Sequence, residues 1–143
     1  VVPEVDVDNF LPERVGRANR FNTDLPKLFV SVHANAHGGG KRFTEPNGVE
    51  TWYYAGNDKG RALARVFQRN IVEQTGATNR GLKYKTERQF YVLSKTAMTA
   101  ILTENGFMTN LRECKLLFDS DYQKRIARGH FEAIKEIEDY GII

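Results

Sequence analysis

Residues 27–40 read KLFVSVHANAHGGG. The run is short, rich in Phe and Val, and it alternates before reaching His33, so it predicts a strand that carries a histidine to its tip. Small and polar residues, a second histidine and three glycines then predict a permissive loop over residues 34–48, which closes on the breakers EPNG. Three uses fit a strand of this kind: a metal ligand, a glycine loop around a phosphate, or a polar strand end with no further role. The phosphate use is excluded. The glycines lack the GxxxxGK[ST] pattern, and no apolar helix begins after them. They are better explained by loop flexibility, and His37 beside them reads as solvated.

Outward from this strand, segments of two periods alternate. Upstream, the extended acidic opening VVPEVDVDNF precedes a predicted helix, NFLPERVGRANRFN. In that helix Asp8 or Asn9 can cap, Pro12 sits in the first turn, and Leu11, Val15 and Ala18 share a face. Downstream, VETWYYA predicts a β-branched and aromatic strand. Asn57 or Asp58 caps a long helix to about Thr75, with Leu63, Val66, Phe67 and Ile71 at helical spacing and Gly76 as the stop. FYVL and TAILTE predict two further short strands, and NRG at residues 79–81 predicts a turn. Asn110 caps LRECKLLF, and residues 119–121 open a last helix carrying Tyr122, Ile126, Phe131, Ile134 and Ile137. Strands alternating with helices predict an α/β fold of three layers, a mostly parallel twisted sheet with helices on both faces. In such sheets the chemistry collects at the carboxyl ends of strands. His33 is predicted to end one strand and Glu104 another.

The bulk properties narrow the class without naming it. A chain of 143 residues suits one domain, and 41% hydrophobic with 27% charged residues is ordinary for a globular protein. A formal net charge of +3 is too weak to imply a nucleic-acid partner. No run of about 18 apolar residues exists to span a bilayer. A single cysteine, Cys114, excludes an intrachain disulfide and a multi-cysteine zinc site. The first residue is Val1, with no signal-like segment after it, which reads as a processed or cut-down chain.

Each chemical candidate has two readings. His33 on a rigid strand end suits a zinc ligand, and equally suits a locally hydrogen-bonded strand end. Glu104, where an apolar strand runs into a carboxylate, suits a general base with a raised pKa. It equally suits a carboxylate held by the amides of Asn105 and Gly106. Arg80 is either a surface cation or an anchor for a substrate carboxylate. Trp52, Tyr53 and Tyr54 read first as core and second as an aromatic platform for sugar. His130 reads as a satisfied core histidine, and Cys114 as a small buried side chain.

Taken in order, LPERVGRAN, LFVSVHANA, GVETWYY, NRGLK, FYVL, AILTENGFMTN and RIARGHFEAI resemble segments of the zinc-dependent N-acetylmuramoyl-L-alanine amidases of the amidase-3 type. The pair S-x-H-A-N and E-x-G-F-x-[ST]-N is the specific part of this resemblance, which covers nearly the whole chain. It implies a peptidoglycan hydrolase of the cell envelope, periplasmic or secreted, that cuts the amide between N-acetylmuramic acid and L-alanine. His33 matches one of three ligands to Zn2+, and Glu104 matches the catalytic glutamate. The resemblance likewise implies Asn79 and Arg80 on the substrate side, and a monomeric enzyme whose partner is the glycan strand with its stem peptide. The resemblance also implies that residues 1–143 form one catalytic domain without its first strand and helix. The other two ligands, a histidine in a GHGG-like segment and a glutamate on the following helix, have no match here; His37 and Glu50 do not occupy those positions. Two other readings compete: an inactive peptidoglycan-binding module of the same fold, and a basic α/β scaffold for an anionic polymer.

Overall fold

The computed structural model describes residues 9–85 and 90–142. In chain order it contains α1 (Leu11–Arg20), β1 (Leu28–Asn35), a 3-10 turn at Gly38–Gly40, β2 (Val49–Tyr54) and α2 (Asp58–Thr75). There follow β3 (Asn79–Lys85), α3 (Tyr91–Lys95), β4 (Thr99–Phe107), α4 (Leu111–Leu117) and α5 (Ser120–Asp139). Among the described residues the strands form one sheet of order β1-β4-β2-β3. β1 runs parallel to β4 and β2 parallel to β3, while β2 and β4 are antiparallel. The sheet is mostly parallel, as the alternation of strands and helices predicts.

Helices cover both faces. On one, α2 and α5 bury Leu63, Phe67, Ile71, Ala133 and Ile137 against Val49 and Ile101. On the other, Val15 of α1 and Val92 and Leu93 of α3 meet Ala100 and Leu102, with Phe29 and Trp52 packed at the margin. Each large apolar side chain removed from water in this way contributes roughly 1.5–3 kcal/mol before entropy is counted. The long helix forms as its sequence predicts. The Asn57 side chain accepts from the Gly60 amide at 2.7 Å, and Gly76 closes the helix at φ 68° with its amide donating to the Val72 carbonyl. Asp119 and Asn110 cap α5 and α4 through their side chains.

Four local expectations are corrected. FYVL is not a strand: Tyr91–Lys95 form a one-turn helix, entered through Phe90 at φ 61° and closed by Thr96 Oγ1 donating to the Val92 carbonyl at 2.8 Å. So short an apolar run cannot separate the two periods. NRG is not a free turn but the start of β3. Its turn chemistry is spent on a strand irregularity, with Gly81 at φ 76° and the Asn79 side chain accepting from the Gly81 amide. The N-cap of α1 is Phe10, without a side-chain cap, in place of Asn9; Asp8 lies outside the described residues. Lastly, β1 continues to Asn35 and β4 to Phe107, so His33 and Glu104 lie two and three residues inside their strand ends.

The contact between α2 and α5 depends on Gly129. A Cβ there would stand 2.7 Å from the Ile71 Cα, which is backbone and cannot turn aside. Gly129→Ala is expected to lower unfolding free energy by about 1–3 kcal/mol in a denaturant titration. Gly16→Ala, whose Cβ meets only the flexible end of Arg20, should cost nothing or gain up to about 1 kcal/mol.

Candidate active site

The double pairing of β4 lines up three chemically active side chains. His33 of β1 stands opposite Glu104, and Glu50 of β2 stands opposite the same glutamate. Cross-strand partners project from one face of a sheet. Because side chains alternate along a strand, this is the face on which Ala100, Leu102 and Trp52 pack under α1 and α3. The row lies one pleat beyond that apolar layer. Because β2 and β3 run antiparallel to β4, the starts of β2 and β3 meet the far ends of β1 and β4. Arg80 is thereby added to the row from the opposite edge.

The two carboxylates have opposite surroundings. Glu50 is buried and fully bonded: Asn35 Nδ2 and Trp52 Nε1 donate to Oε1 at 3.0 and 3.1 Å, and Arg80 Nε donates to Oε2 at 2.8 Å. Glu104 is also buried, but its Oε2 has no hydrogen-bond partner among the described residues. The alternative of a carboxylate tied down by Asn105 and Gly106 finds no bond at that oxygen. Burial, and secondly the negative charge of Glu50, push the pKa of Glu104 up to about 7. Two adjacent acids thus stand in opposite surroundings, one with both oxygens bonded and one with an oxygen that no described residue bonds.

His33 is exposed at the margin of the row, with Nε2 3.0 Å from Ser31 Oγ. Partial burial of the ring and then the charge of Arg14 lower its pKa, which favours the neutral imidazole. His37 sits outside the row on the exposed loop, where its backbone amide donates to Thr109 Oγ1. Arg80 lies between the Glu50 carboxylate and the Phe107 ring, 4.9 Å from its centroid, and is partly exposed. The side-chain oxygen of Asn79 is committed to Gln68 Nε2 at 2.7 Å and to the Gly81 amide at 2.9 Å. The structure therefore sets His33 beside Glu104 and brings Arg80 to the same row through Glu50, with Asn79 as a support of β3.

Two residues of the site escape a sequence reading. Glu50 becomes visible only through cross-strand register. Glu113 is a buried carboxylate that accepts from the Gly48 amide at 2.8 Å and the Phe107 amide at 2.7 Å, joining the segments that deliver Glu50 and Glu104. A carboxylate on the first turn of a capped helix was the available signal for it. Asn110 caps that helix and also donates from Nδ2 to the Glu45 carbonyl at 3.1 Å, which fixes the rim loop. Trp52 is partly buried against the core, so the face it shows the site is the indole N–H. His130 is a satisfied histidine, bonded at both ring nitrogens. Cys114 is only partly buried, less than its reading as a core side chain implies.

Among the described residues no three His, Cys, Asp or Glu side chains converge as a metal-ligand set. His33 by itself falls short of the three ligands a catalytic zinc takes.

The family profile of N-acetylmuramoyl-L-alanine amidase, amidase type 3, matches residues 3–136. The endolysin of Bacillus phage SPP1 is 34% identical over 125 residues, covering 87% of this chain and 45% of that protein. The amidase CwlM of Bacillus licheniformis is 35% identical over 121 residues, covering 84% of this chain and 43% of that protein. The chain thus spans less than half the length of these two curated relatives. Among solved structures, an N-acetylmuramoyl-L-alanine amidase of Clostridium difficile 630 superposes with a TM-score of 0.81 at 32% identity, covering 94% of this chain and 68% of that one. The catalytic domain of CwlV from Bacillus (Paenibacillus) polymyxa gives 0.76 at 34% identity with the same coverage.

The raised pKa of Glu104 has a measurable sign. The unfolded carboxyl, near its ordinary 4.5, loses its proton before the folded one near 7 does, so wild-type stability falls as pH rises between these values. With chelator present, Glu104→Gln should match the wild type below pH 4.5 and exceed it above pH 7, by about 3 kcal/mol at most. Equal denaturation midpoints at every pH would contradict the burial of a bare carboxylate.

Proposed function

The chain belongs to the amidase-3 family of N-acetylmuramoyl-L-alanine amidases, and from that premise we propose that it hydrolyses the amide joining the lactyl group of N-acetylmuramic acid to L-alanine in peptidoglycan. The observation that carries the proposal is Glu104: a buried carboxylate with an oxygen that no described residue bonds, raised to a pKa of about 7, opposite His33 in the strand register. In this reading Glu104 takes a proton from the attacking water as the water oxygen bonds to the lactyl carbonyl carbon. It returns that proton to the L-alanine nitrogen as the C–N bond breaks, which restores the carboxylate. A group titrating near neutrality suits both halves of this cycle. Glu50 stays in place as the fixed charge that orients Arg80, and Arg80 faces the carboxylates of the stem peptide with the donors left over from its pair. Asn79 supports the strand that presents it. Such a substrate lies outside the cytoplasm, so the proposal places the protein in the cell envelope. No helix among the described residues is long and apolar enough to cross a membrane.

Zinc enters this proposal through one ligand only, His33. The described residues do not complete a set, so further ligands would come from outside them, and no step above runs through a metal. One second reading competes, a wall-binding module of the same fold without turnover.

The test uses purified peptidoglycan and the protein as it is made, with release of new L-alanine amino termini as the signal. Wild type should release them, and Glu104→Gln should lose roughly 10²–10⁴-fold in rate while still sedimenting with the wall. Binding without release by the wild type would establish the second reading, and release by Glu104→Gln at the wild-type rate would remove Glu104 as the base. In the same assay His33→Ala should abolish release and lower any zinc bound to the purified protein, as read by elemental analysis. Unaltered zinc content would remove His33 as a ligand.

A further inference from the structure

Immediately beyond His33 the ladder between β1 and β4 breaks. His33 is matched to Glu104, but the next matched pair is Asn35 with Phe107, so Ala34 faces both Asn105 and Gly106. The extra residue is accommodated by Gly106 at φ 119°. A bulge of this kind disrupts the backbone ladder locally and re-aims the side chains beside it. At the break, a side chain takes the carbonyl of His33: Asn105 Nδ2 donates to it at 3.0 Å.

Asn105 is itself held from behind. The residue is 2% exposed, and the same amide nitrogen lies 3.1 Å from Thr103 Oγ1. Thr103 Oγ1 lies 3.0 Å from His130 Nε2 of α5, whose Nδ1 lies 2.8 Å from the Ile126 carbonyl. A carbonyl only accepts, so Nδ1 carries the hydrogen and Nε2 of the neutral ring is an acceptor. Burial lowers the pKa of His130 and supports the neutral ring. The Thr103 hydroxyl must then donate to His130, which leaves its oxygen to accept from Asn105. Every direction in the chain follows, from the backbone of α5 to the carbonyl of His33. Thr103 and His130 stand on the face of the sheet opposite Glu104, so the network reaches the site through the backbone and touches nothing that reacts.

We propose that Asn105, locked by the Thr103–His130 chain, is the positioning residue for His33: it bonds the His33 carbonyl at the bulge and fixes the backbone from which the imidazole is presented. The consequence for turnover rests on the amidase reading, whereas the consequence for the His33 ring does not. Asn105→Leu removes the donor at similar volume, Thr103→Val removes the hydroxyl, and Thr103→Ser restores it. In the first two variants kcat should fall about 10-fold or more, as for other groups that orient a site side chain, with KM within about 2-fold of wild type. Their His33 imidazole ¹H–¹⁵N correlations should shift and broaden, while Thr103→Ser keeps the wild-type values of both. Ile137→Val, which thins the same α2–α5 core about two helical turns from His130, should keep the wild-type His33 signals. Unchanged kcat or unchanged His33 signals in either folded variant would overturn the proposal, as would equal broadening in Ile137→Val. Should Asn105→Leu not fold, the Thr103→Val and Thr103→Ser pair decides alone. An unmodified protein that cleaves nothing counts against the amidase reading only, because the imidazole signals need no turnover.

Discussion

Strand β4 is hydrogen-bonded on both sides, to β1 in parallel and to β2 in antiparallel, and everything at the site depends on that pairing. It places Glu104 between His33 and Glu50 in one cross-strand row. A one-residue slip on either side would turn the partner side chain to the opposite face. The register is held by what lies one pleat below, where Leu102 and Trp52 pack under α1 and α3, and by Thr51 and Thr103, which face the other way. The apolar core thus sets the chemistry indirectly, by permitting one alignment of three strands.

Within the row the contrast between the two carboxylates matters more than either alone. Glu50 collects three donors, including a guanidinium, and Glu104 keeps a buried oxygen with none among the described residues. Leaving a buried acceptor unmet costs roughly 1–3 kcal/mol; among the described residues Thr44 Oγ1 and Asn105 Oδ1 are unmet as well, so what sets Glu104 apart is a bare oxygen on a carboxylate whose pKa is raised. Glu113 shows the other way a buried carboxylate is used in this fold. With both oxygens committed to backbone amides, it joins the approaches to β2 and the exit from β4 and leaves no oxygen for a reaction.

Much of the scaffold was legible in the sequence because its signals are local. The caps at Asn57, Asn110 and Asp119, the stop at Gly76, and the strands around His33 and Glu104 follow from neighbours within a few residues. FYVL and NRG were misread for the same reason. Four apolar residues fit either period, and turn-forming residues can be absorbed by a strand irregularity when a side chain such as Asn79 closes it internally. His33 and Glu104 were legible because each sits in a distinctive motif. Glu50 carries no local signal although its strand does, since its importance comes from register against Glu104, 54 positions away. In sequence Asn105 reads only as a backbone amide beside Glu104, whereas its side chain bonds the His33 carbonyl, a contact set by strand pairing.

The central claim is that the strand pairing leaves Glu104 as a buried carboxylate with a bare oxygen, able to carry a proton near neutrality. The measurement that meets it most directly is a ¹³C NMR titration of the Glu104 side-chain carboxyl in the folded protein, assigned by its loss in Glu104→Gln. A midpoint at about 7 is the result this account predicts, whereas a midpoint at the ordinary 4.5 would contradict it.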